Sequence, residues 1–408
     1  MNSTIHRRSA ALAVATLTAA SLILTACTGR GAGADPTTAE GDSLPIVIGA
    51  SWPQSGPLGS VAPGLAGLEA YIDQVNADGG VDGREITLVT ADDAYDPARL
   101  VENERKFVEK DGAIAVVNFG GISIAGRDYL NEAGVAGFSL AGNSPLSDIE
   151  NYPLQRAWWP DVAWEGQLQA QWLEANKPDA VVGFIGFNND LADSHLAGLA
   201  AGGVEPAEVA KVAPGTSDLS AQISAFQAAG VDTVIINIGA PTIGAALAYI
   251  HQIGWDPTIL LSSTVSDFHT VINQAGPEAV KGAHTYAFGK DPSDPRYADD
   301  TTVADYLAAM KESGHDKDAS NALAFNGYGL GAAIVAAIRV ADEVSSEGLV
   351  ASWDSFDGEE NPYLRDGVSL NAGPGARVIV QYKFTEFDGT SWVDEGETLD
   401  VRELGIAE

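Results

Sequence analysis

Cysteine and positive charge are scarce in this chain of 408 residues. The single cysteine excludes a disulfide bond within the chain and any zinc or iron–sulfur centre built from several cysteines. Lysine and arginine number 22 against 56 aspartates and glutamates, so the net charge is −34. Such a surface repels phosphate backbones, and no nucleic-acid partner is expected. What remains is a globular composition, 45% hydrophobic, in a chain long enough for two or three domains.

The first 26 residues have the pattern of an export signal. Arg7 and Arg8 precede an apolar run from Ala10 to Leu24, which is too short and too rich in small residues for a good membrane span. The run leads to the only cysteine, Cys27, as in a bacterial lipoprotein signal. We therefore expect Cys27 to become the N-terminus and to carry lipid that anchors the exported protein to the outer face of the cytoplasmic membrane. An ordinary secretory signal with a chance cysteine is the alternative.

Strand-like and helix-like segments alternate from residue 44 onwards. Residues 27–43 lack large apolar side chains and are predicted to form a flexible tether. Four strand–helix units extend to Leu140, and the alternation resumes with a helix that begins at Val162. This pattern predicts an α/β fold with two doubly wound parallel-sheet lobes. Ligands of such sheets bind at the carboxyl ends of the strands, so we expect a site in the cleft between the lobes.

Motifs for catalysis and for metal binding are incomplete. Gly121-Ile122-Ser123 resembles the nucleophile elbow of serine hydrolases, but no histidine lies in a matching context. A Gly-x-Gly-x-x-Ala pattern starts at Gly327 inside an apolar helical stretch, which favours close helix packing over nucleotide binding. The acidic residues within 291–300 offer calcium ligands, although a solvated acidic loop explains them better. We therefore predict no enzyme activity, no metal and no cofactor.

Six motifs between Ile46 and about Tyr382 point to one family, with the most specific ones in the first hundred residues. They are Ser55-Gly56-Pro57-Leu58-Gly59, Asn76-Ala77-Asp78-Gly79-Gly80-Val81-Asp82-Gly83, Asp92-Asp93-Ala94-Tyr95-Asp96-Pro97, Gly134-Val135-Ala136, Ser144-Pro145 and Asn326-Gly327-Tyr328. Together they resemble the type I periplasmic binding proteins, in particular the leucine/isoleucine/valine-binding family of ABC transporters. The resemblance implies a solute-binding protein that works as a monomer with an ABC permease and its ATPase subunits.

The resemblance also implies two lobes joined by a hinge, in which the chain crosses from one lobe to the other three times. The crossings are expected near residues 156–161, 287–291 and 342–349. The resulting domains are a signal peptide at 1–26, a tether at 27–43, lobe 1 at 44–157 plus 290–345, and lobe 2 at 158–289 plus 346–400. The two lobes of such a protein close on a small solute.

Loops that match the family's ligand loops supply the candidate binding residues. The loop from Phe119 to Ser123 leads into a helix, and the free N–H groups of a helix start suit a carboxylate. The loop from Ala141 to Asn143 offers a backbone carbonyl and a side chain for an ammonium or amide group. The candidates are Ser60, Val61, Phe119, Gly120, Gly121, Ser123, Ala141, Gly142, Asn143, Trp159, Asn188, Leu191, Gly239, Ala240, Thr264 and Phe325.

Three departures from the family's pattern leave the solute open. Family members that bind α-amino acids usually have a serine at the position of Gly120. They usually place an acid where this chain has Thr264, with Asp267 close by, and they often have a tyrosine in the loop 239–240. A plain branched-chain amino acid is therefore one choice among several.

The tryptophans of the first crossing are a further possible determinant of the solute. Trp158, Trp159 and Trp164 offer rings for an aromatic ligand, while buried packing in the hinge is an equally good explanation. The predicted solute is an amino acid, a small organic or aromatic acid, or an amide. A ligand sensor of the same fold that feeds a signalling partner is the alternative function.

Overall fold

Short β-branched runs of the sequence form the strands of two parallel sheets. The computed structural model describes residues 44–213, 215–239 and 242–407. The predicted export signal, Cys27, the tether and Ala240 lie outside these described residues. Their roles therefore stay predictions.

The first sheet has five parallel strands in the described part of the chain. They are β1 (Ile46–Trp52), β2 (Ile86–Asp92), β3 (Ala115–Phe119), β4 (Ala136–Leu140) and β5 (Gln155–Ala157). Their spatial order is β2-β1-β3-β4-β5. The middle strands β3 and β4 are buried along their whole length, as expected for a parallel sheet with both faces covered.

The second sheet repeats this order and extends it. Its described strands are β6 (Val182–Phe187), β7 (Glu208–Val212), β8 (Thr233–Asn237), β9 (Thr258–Leu261), β10 (His284–Ala287), β13 (Gln381–Phe387) and β14 (Trp392–Asp400), and a separate hairpin-like pair is β11 (Asp357–Glu359) and β12 (Leu370–Asn371). The order β7-β6-β8-β9-β10 matches that of the first sheet, and β13 and β14 continue it in antiparallel pairing. The predicted α/β architecture is confirmed.

Helices connect the strands and cover the sheets. In the described residues they are α1 (Pro63–Ala77), α2 (Pro97–Glu109), α3 (Arg127–Ala133), α4 (Val162–Asn176), α5 (Asp190–Ala201), α6 (Ser220–Ala228), α7 (Thr242–Gln252), α8 (Asn273–Ala275), α9 (Pro277–Val280), α10 (Thr301–Glu312), α11 (Ala322–Val340) and α12 (Ser346–Trp353). Acidic and amide side chains start several of them. The carboxylate of Asp96, for example, accepts hydrogen bonds from the amides of Ala98 and Arg99 ahead of Pro97 at the first helical position.

Two of the family motifs fasten loops of lobe 1 to one another. The Asp92 carboxylate, at the end of β2, accepts hydrogen bonds from the backbone amides of Gln54 and Ser55 at 2.9 and 3.2 Å. The side chain of Asn76, at the end of α1, pairs with both backbone groups of Ile86 at 2.8 Å. These contacts explain why an asparagine and an aspartate stand at these places in the sequence.

The long apolar helix α11 is the core of lobe 1. A Cβ atom at Gly67 of α1 would lie 1.7 Å from the carbonyl oxygen of Ala324, and one at Gly327 would lie 1.9 Å from that of Gly64. The glycines of the Gly-x-Gly-x-x-Ala stretch therefore allow close helix packing. Among the described residues, α11 is the helix long and apolar enough to span a membrane, but it is mostly buried against other elements.

Helix α12 packs against the first sheet and the first crossing. The ring of Trp353 in α12 packs 4.8 Å from that of Phe138 and 6.2 Å from that of Trp158, measured between centroids. Arg365, further along the chain, donates hydrogen bonds to the carbonyl oxygen of Trp392 at 3.2 Å and to the carboxylate of Asp394 at 2.7 Å, both on β14 of the second sheet. The segment between α12 and β13 therefore contacts both lobes. The limits of the two lobes and the places of the three crossings remain predictions.

Candidate ligand-binding cleft

A cavity of about 540 Å³ lies at the carboxyl ends of the strands of both sheets. Residues that end or follow β3, β4, β6, β8, β9 and β10 line it. In each sheet the order of strands reverses beside β1 or β6, and ligands of open α/β sheets bind at such points. The volume falls within the range of about 300–1,000 Å³ typical of small-molecule sites.

Most residues predicted from the sequence lie in the lining of this cavity. They are Ser60, Val61, Phe119, Gly120, Gly121, Ala141, Gly142, Asn143, Trp159, Leu191, Gly239 and Thr264.

Three predicted residues lie outside the lining. Ser123 is buried, and its hydroxyl donates a hydrogen bond to the carbonyl oxygen of Gly120 at 2.7 Å. The neighbours of Asn188 line the cavity in its place. The ring of Phe325 is fully buried in lobe 1 and stacks on that of Tyr306 at 4.3 Å. Ser123 and Phe325 thus both point into the protein and not into the cavity. The residues next to them in the sequence do not show this direction.

The helix expected after Gly120 is shorter than predicted. Residues Gly121–Ala125 form one 3-10 helix, and the seven-residue α3 follows it. The macrodipole of such short segments is small, so a carboxylate at this loop depends on individual N–H groups and neighbouring side chains. Asn143 is one of these neighbours, because a Cβ at Gly121 would lie 2.9 Å from its Nδ2 atom.

Tyr95 lines the cavity and is a residue that the sequence interpretation missed. Gly120 has a φ of 77° and a ψ of −177°, and a Cβ there would lie 2.9 Å from Cε2 of Tyr95. The tyrosine ring therefore fills the space beside Gly120 where a serine would stand. Tyr95 itself has a φ of 61°, and the buried carboxylate of Asp93 accepts its backbone N–H at 2.8 Å. Such strain is held in place by the surrounding loop.

The paired tryptophans of the first crossing have different surroundings. Trp158 is fully buried, and its indole N–H donates a hydrogen bond to Oδ1 of Asn326. Trp159 faces the cavity edge-on to Phe119, with ring centroids 6.1 Å apart and planes at 79°. The Nε1 atom of Trp159 has no hydrogen-bond partner among the described residues. The ring of Trp159 thus contributes to the cavity lining while its N–H is enclosed by protein, whereas Trp158 packs the hinge.

A buried arginine holds the loops of the lobe 1 wall. The guanidinium of Arg377 donates hydrogen bonds to the carbonyl oxygens of Ala141 at 3.2 Å, Asn143 at 2.7 Å and Trp159. The Asp161 carboxylate lies 3.9 Å away. Burial lowers the pKa of Arg377, but a guanidinium has so high a pKa that it remains charged. This residue, just before β13, was missed because nothing in its local sequence points to the cavity.

A buried chain of hydrogen bonds supports the lobe 2 wall. The Asn237 side chain, at the end of β8, donates to Nδ1 of His195 at 2.9 Å. Nε2 of His195 donates to Oε1 of Gln169 at 2.8 Å, and Nε2 of Gln169 donates to Glu165 at 3.4 Å. The Glu165 carboxylate accepts from the backbone amide and the hydroxyl of Ser263, each at 2.8 Å. The chain thus joins two cavity-lining residues, Asn237 and Ser263, behind the wall.

Protonation in this chain follows from burial. Burial lowers the pKa of His195 to about 3, so its imidazole is neutral and accepts at Nδ1 while it donates at Nε2. Burial raises the pKa of Glu165 to about 7, against hydrogen bonds from Ser263 and Ser262 that favour the carboxylate. Glu165 is therefore the member of this hydrogen-bonded chain that titrates near neutral pH, and its carboxyl group supports the lobe 2 wall.

The hinge end of the cavity carries charge of both signs. Burial and the neighbouring Asp267 raise the pKa of Asp291 to about 7, and its carboxylate accepts the backbone amide of Phe268 at 2.6 Å. Lys290 is paired with Asp300 at 2.8 Å. These acidic side chains already have protein donors as partners, which accounts for the acidic stretch that the sequence left open to calcium.

Two α/β lobes of the same strand order, facing a solute-sized cavity, define a two-lobed ligand-binding protein. Residues 45–390 match the sequence profile of the Periplasmic binding protein family, and the chain belongs to this family. The resemblance inferred from the motifs is confirmed.

Curated relatives share about a quarter of their residues with this chain. A protein of Pseudomonas aeruginosa named "Amino acid binding protein" is 26% identical over 60% of this chain and 68% of its own length. The "Leu/Ile/Val-binding protein BraC3" of Rhizobium johnstonii is 26% identical over 78% of this chain and 85% of its own length.

Solved structures support the fold. A branched chain amino acid ABC transporter protein of Thermus thermophilus with bound valine is similar with a TM-score of 0.78 and 17% identity, over 88% of this chain and 97% of that one. A solute binding protein of Rhodopseudomonas palustris BisB5, in complex with 3,4-dihydroxy benzoic acid, has a TM-score of 0.72 and 17% identity, over 88% and 98%. These similarities show the type I periplasmic-binding-protein fold.

Proposed function

We propose that this protein is the solute-binding lipoprotein of a branched-chain-amino-acid-type ABC importer. It captures a small amino acid, organic or aromatic acid, or amide outside the cell and hands it to a permease driven by ATPase subunits. The observation that carries the proposal is the cavity lined from both lobes, in a chain of the periplasmic binding family. Closure of the lobes on a solute shifts the population towards the closed form, because the solute contacts both walls.

Polar side chains of the lining support a solute that carries both hydrogen-bond donors and acceptors. Asp267 offers an acceptor, and the hydroxyls of Thr264 and Ser60 can each donate or accept. Amino acids and amides carry both kinds of group, which agrees with the names of the relatives and with the valine in the Thermus thermophilus structure.

Aromatic rings on the lobe 1 side support a planar or bulky side chain on the solute. Tyr95, Phe119 and Trp159 line this wall, and aromatic rings favour edge or offset contact with other rings. The structural neighbour with 3,4-dihydroxy benzoic acid shows that a similar fold accommodates an aromatic acid. Gly120, in place of the family's usual serine, further supports a solute other than a plain branched-chain amino acid.

A thermal-shift screen of the purified protein tests the proposal. The panel contains amino acids, small organic and aromatic acids, amides and sugars. A solute at about 100 times its Kd adds about 2.7 kcal/mol to the free energy of unfolding, which raises Tm visibly. A hit should weaken at least fivefold in Trp159→Phe, which replaces the indole that lines the cavity with a smaller ring, and should not change in the control Trp255→Phe, which lies outside the lining. No shift with any compound would contradict the proposal, and binding without uptake by the cell would favour a sensor.

The lipid anchor has its own test. Cells that express the protein are grown with a labelled fatty acid, and the label is followed in the wild type and in Cys27→Ala. Because Cys27 is the only cysteine, no other thiol can carry the lipid. We expect the wild type to be labelled and to sediment with membranes, and the variant to lose both properties. An unlabelled, released wild type would mean an ordinary secretory signal.

A further inference from the structure

Three potential metal ligands meet on the second sheet, away from the cavity. They are His284 on β10, Glu386 on β13 and Glu395 on β14. One ligand atom from each, a ring nitrogen or a carboxylate oxygen, lies within 4.8 Å of the others. His284 begins β10, and it is the other end of that strand, at Ala287, that lines the cavity.

The strand register places the three side chains on one face. His284 and Glu386 are direct partners in the antiparallel pair of β10 and β13. Glu395 is the partner of Phe384, which lies two residues before Glu386 and so points to the same face. The three groups therefore come from three adjacent strands of a hydrogen-bonded sheet, a rigid support of the kind that a preformed site needs.

The imidazole of His284 is held by aromatic rings and not by hydrogen bonds. Its ring stacks on Phe384 at 5.2 Å with an angle of 12° between the planes, and the ring of Trp172 lies 5.2 Å away. Its buried Nδ1 atom has no hydrogen-bond partner in the described residues.

The two glutamates lack a cation of their own. Neither takes part in an ion pair within the described part of the chain. Two neighbouring carboxylates beside an imidazole are stabilised either by a shared proton or by a bound cation.

We propose that His284, Glu386 and Glu395 bind a divalent transition-metal ion, with Zn²⁺ as the best match. One imidazole and two carboxylates are ligands that Zn²⁺ accepts, whereas Ca²⁺ and Mg²⁺ prefer oxygen ligands alone. Three protein ligands leave a coordination position for water or for a group from another molecule. The site is independent of the solute cavity and of the function proposed above.

Calorimetric titration of the purified, untagged protein with Zn²⁺ tests this site. We expect one equivalent to bind with a micromolar Kd. Glu395→Gln and Glu386→Gln should each weaken binding at least tenfold, and His284→Ala should abolish it. The controls are Glu397→Gln, an exposed residue of the same strand, and His251→Ala, an exposed histidine at the end of α7; both should bind as the wild type does.

Two further readouts keep the result clear. Co²⁺ in place of Zn²⁺ should give visible absorption bands that disappear in His284→Ala, and excess Mg²⁺ should not displace it. Glu395 is exposed, so Glu395→Gln should fold with an unchanged Tm in the absence of metal. The proposal is wrong if Zn²⁺ binds only at millimolar concentration, or if the three ligand variants bind it like the wild type; a shared proton would then explain the glutamate pair.

Discussion

The two walls of the cavity are held by different chemistry. On the lobe 1 side, the charged groups of Arg377 and Asp93 bind backbone carbonyls and amides. On the lobe 2 side, a relay of neutral side chains ends at Glu165, whose pKa is raised to about 7 by burial. A change of pH across neutrality therefore acts directly on the hydrogen bonds that support the lobe 2 wall, while Arg377 keeps its charge on the lobe 1 side. The following changes test this contrast.

Arg377→Met should have the largest effect. It removes a buried cation and leaves the carbonyls of Ala141 and Asn143 and the carboxylate of Asp161 without their partner. We expect a loss of about 3–5 kcal/mol in the free energy of unfolding, measured by urea denaturation, together with loss of solute binding. The control Arg105→Met removes an exposed ion pair and should cost less than about 0.5 kcal/mol. Equal losses of stability in the two variants would show that the hydrogen bonds of Arg377 contribute nothing to the free energy of unfolding.

Gly120→Ala should be the next largest. The φ of 77° and ψ of −177° are open almost only to glycine, and the added Cβ would meet the ring of Tyr95 at 2.9 Å. We expect a loss of about 2–3 kcal/mol in the free energy of unfolding and weaker solute binding. Gly112→Ala, with a φ of 73° and no atom within 4 Å of its Cβ, is the control and should cost about 1 kcal/mol without affecting binding. Similar solute affinities in the two variants would contradict the role given to Tyr95.

Glu104→Gln tests a titrating carboxyl that lies behind the lobe 1 wall. Burial raises the pKa of Glu104 to about 8, against a hydrogen bond from Asn118. The folded protein thus keeps a proton that the unfolded chain has released, and its stability falls as pH rises from about 4.5 to about 8. The variant should be more stable than the wild type by about 2 kcal/mol at pH 8 and equal at pH 4.5, measured by denaturation. Its solute affinity should stay unchanged at both pH values.

Glu165→Gln should have the smallest effect on stability and the clearest effect on binding. The pKa of about 7 means that the wild type loses this carboxyl's contribution to stability between about pH 4.5 and 7, and the variant should not. We expect a loss of about 1 kcal/mol at pH 4.5, because the amide replaces one hydrogen-bonding oxygen with a donor, and a stability relative to the wild type that improves as the pH rises to 8. Solute affinity should be severalfold weaker and should no longer change between pH 6 and 8. If the affinity of the variant still changes with pH as that of the wild type does, the pH dependence arises from another group, such as Asp291.

The sequence predicts the fold well because the fold depends on local patterns. Alternating strands and helices and the six motifs lead to the two lobes, and the cavity lies at the strand ends where such sheets bind ligands. Tyr95 was missed because the direction of its side chain depends on a positive φ, which the residue type does not indicate. Arg377 and Glu165 were missed because their partners lie far away in the chain.

The hydrogen bonds of Arg377 also have a consequence for the order of events during synthesis and folding. Its partners Ala141, Asn143 and Trp159 precede it by 236, 234 and 218 residues. Contacts over such separations close a very long loop, so they form late in folding. When the ribosome has translated all strands of the first sheet, it has therefore not yet translated Arg377, which holds the loops of this wall in place. A chain that ends before residue 377 would contain every strand of lobe 1 and still lack a finished binding wall.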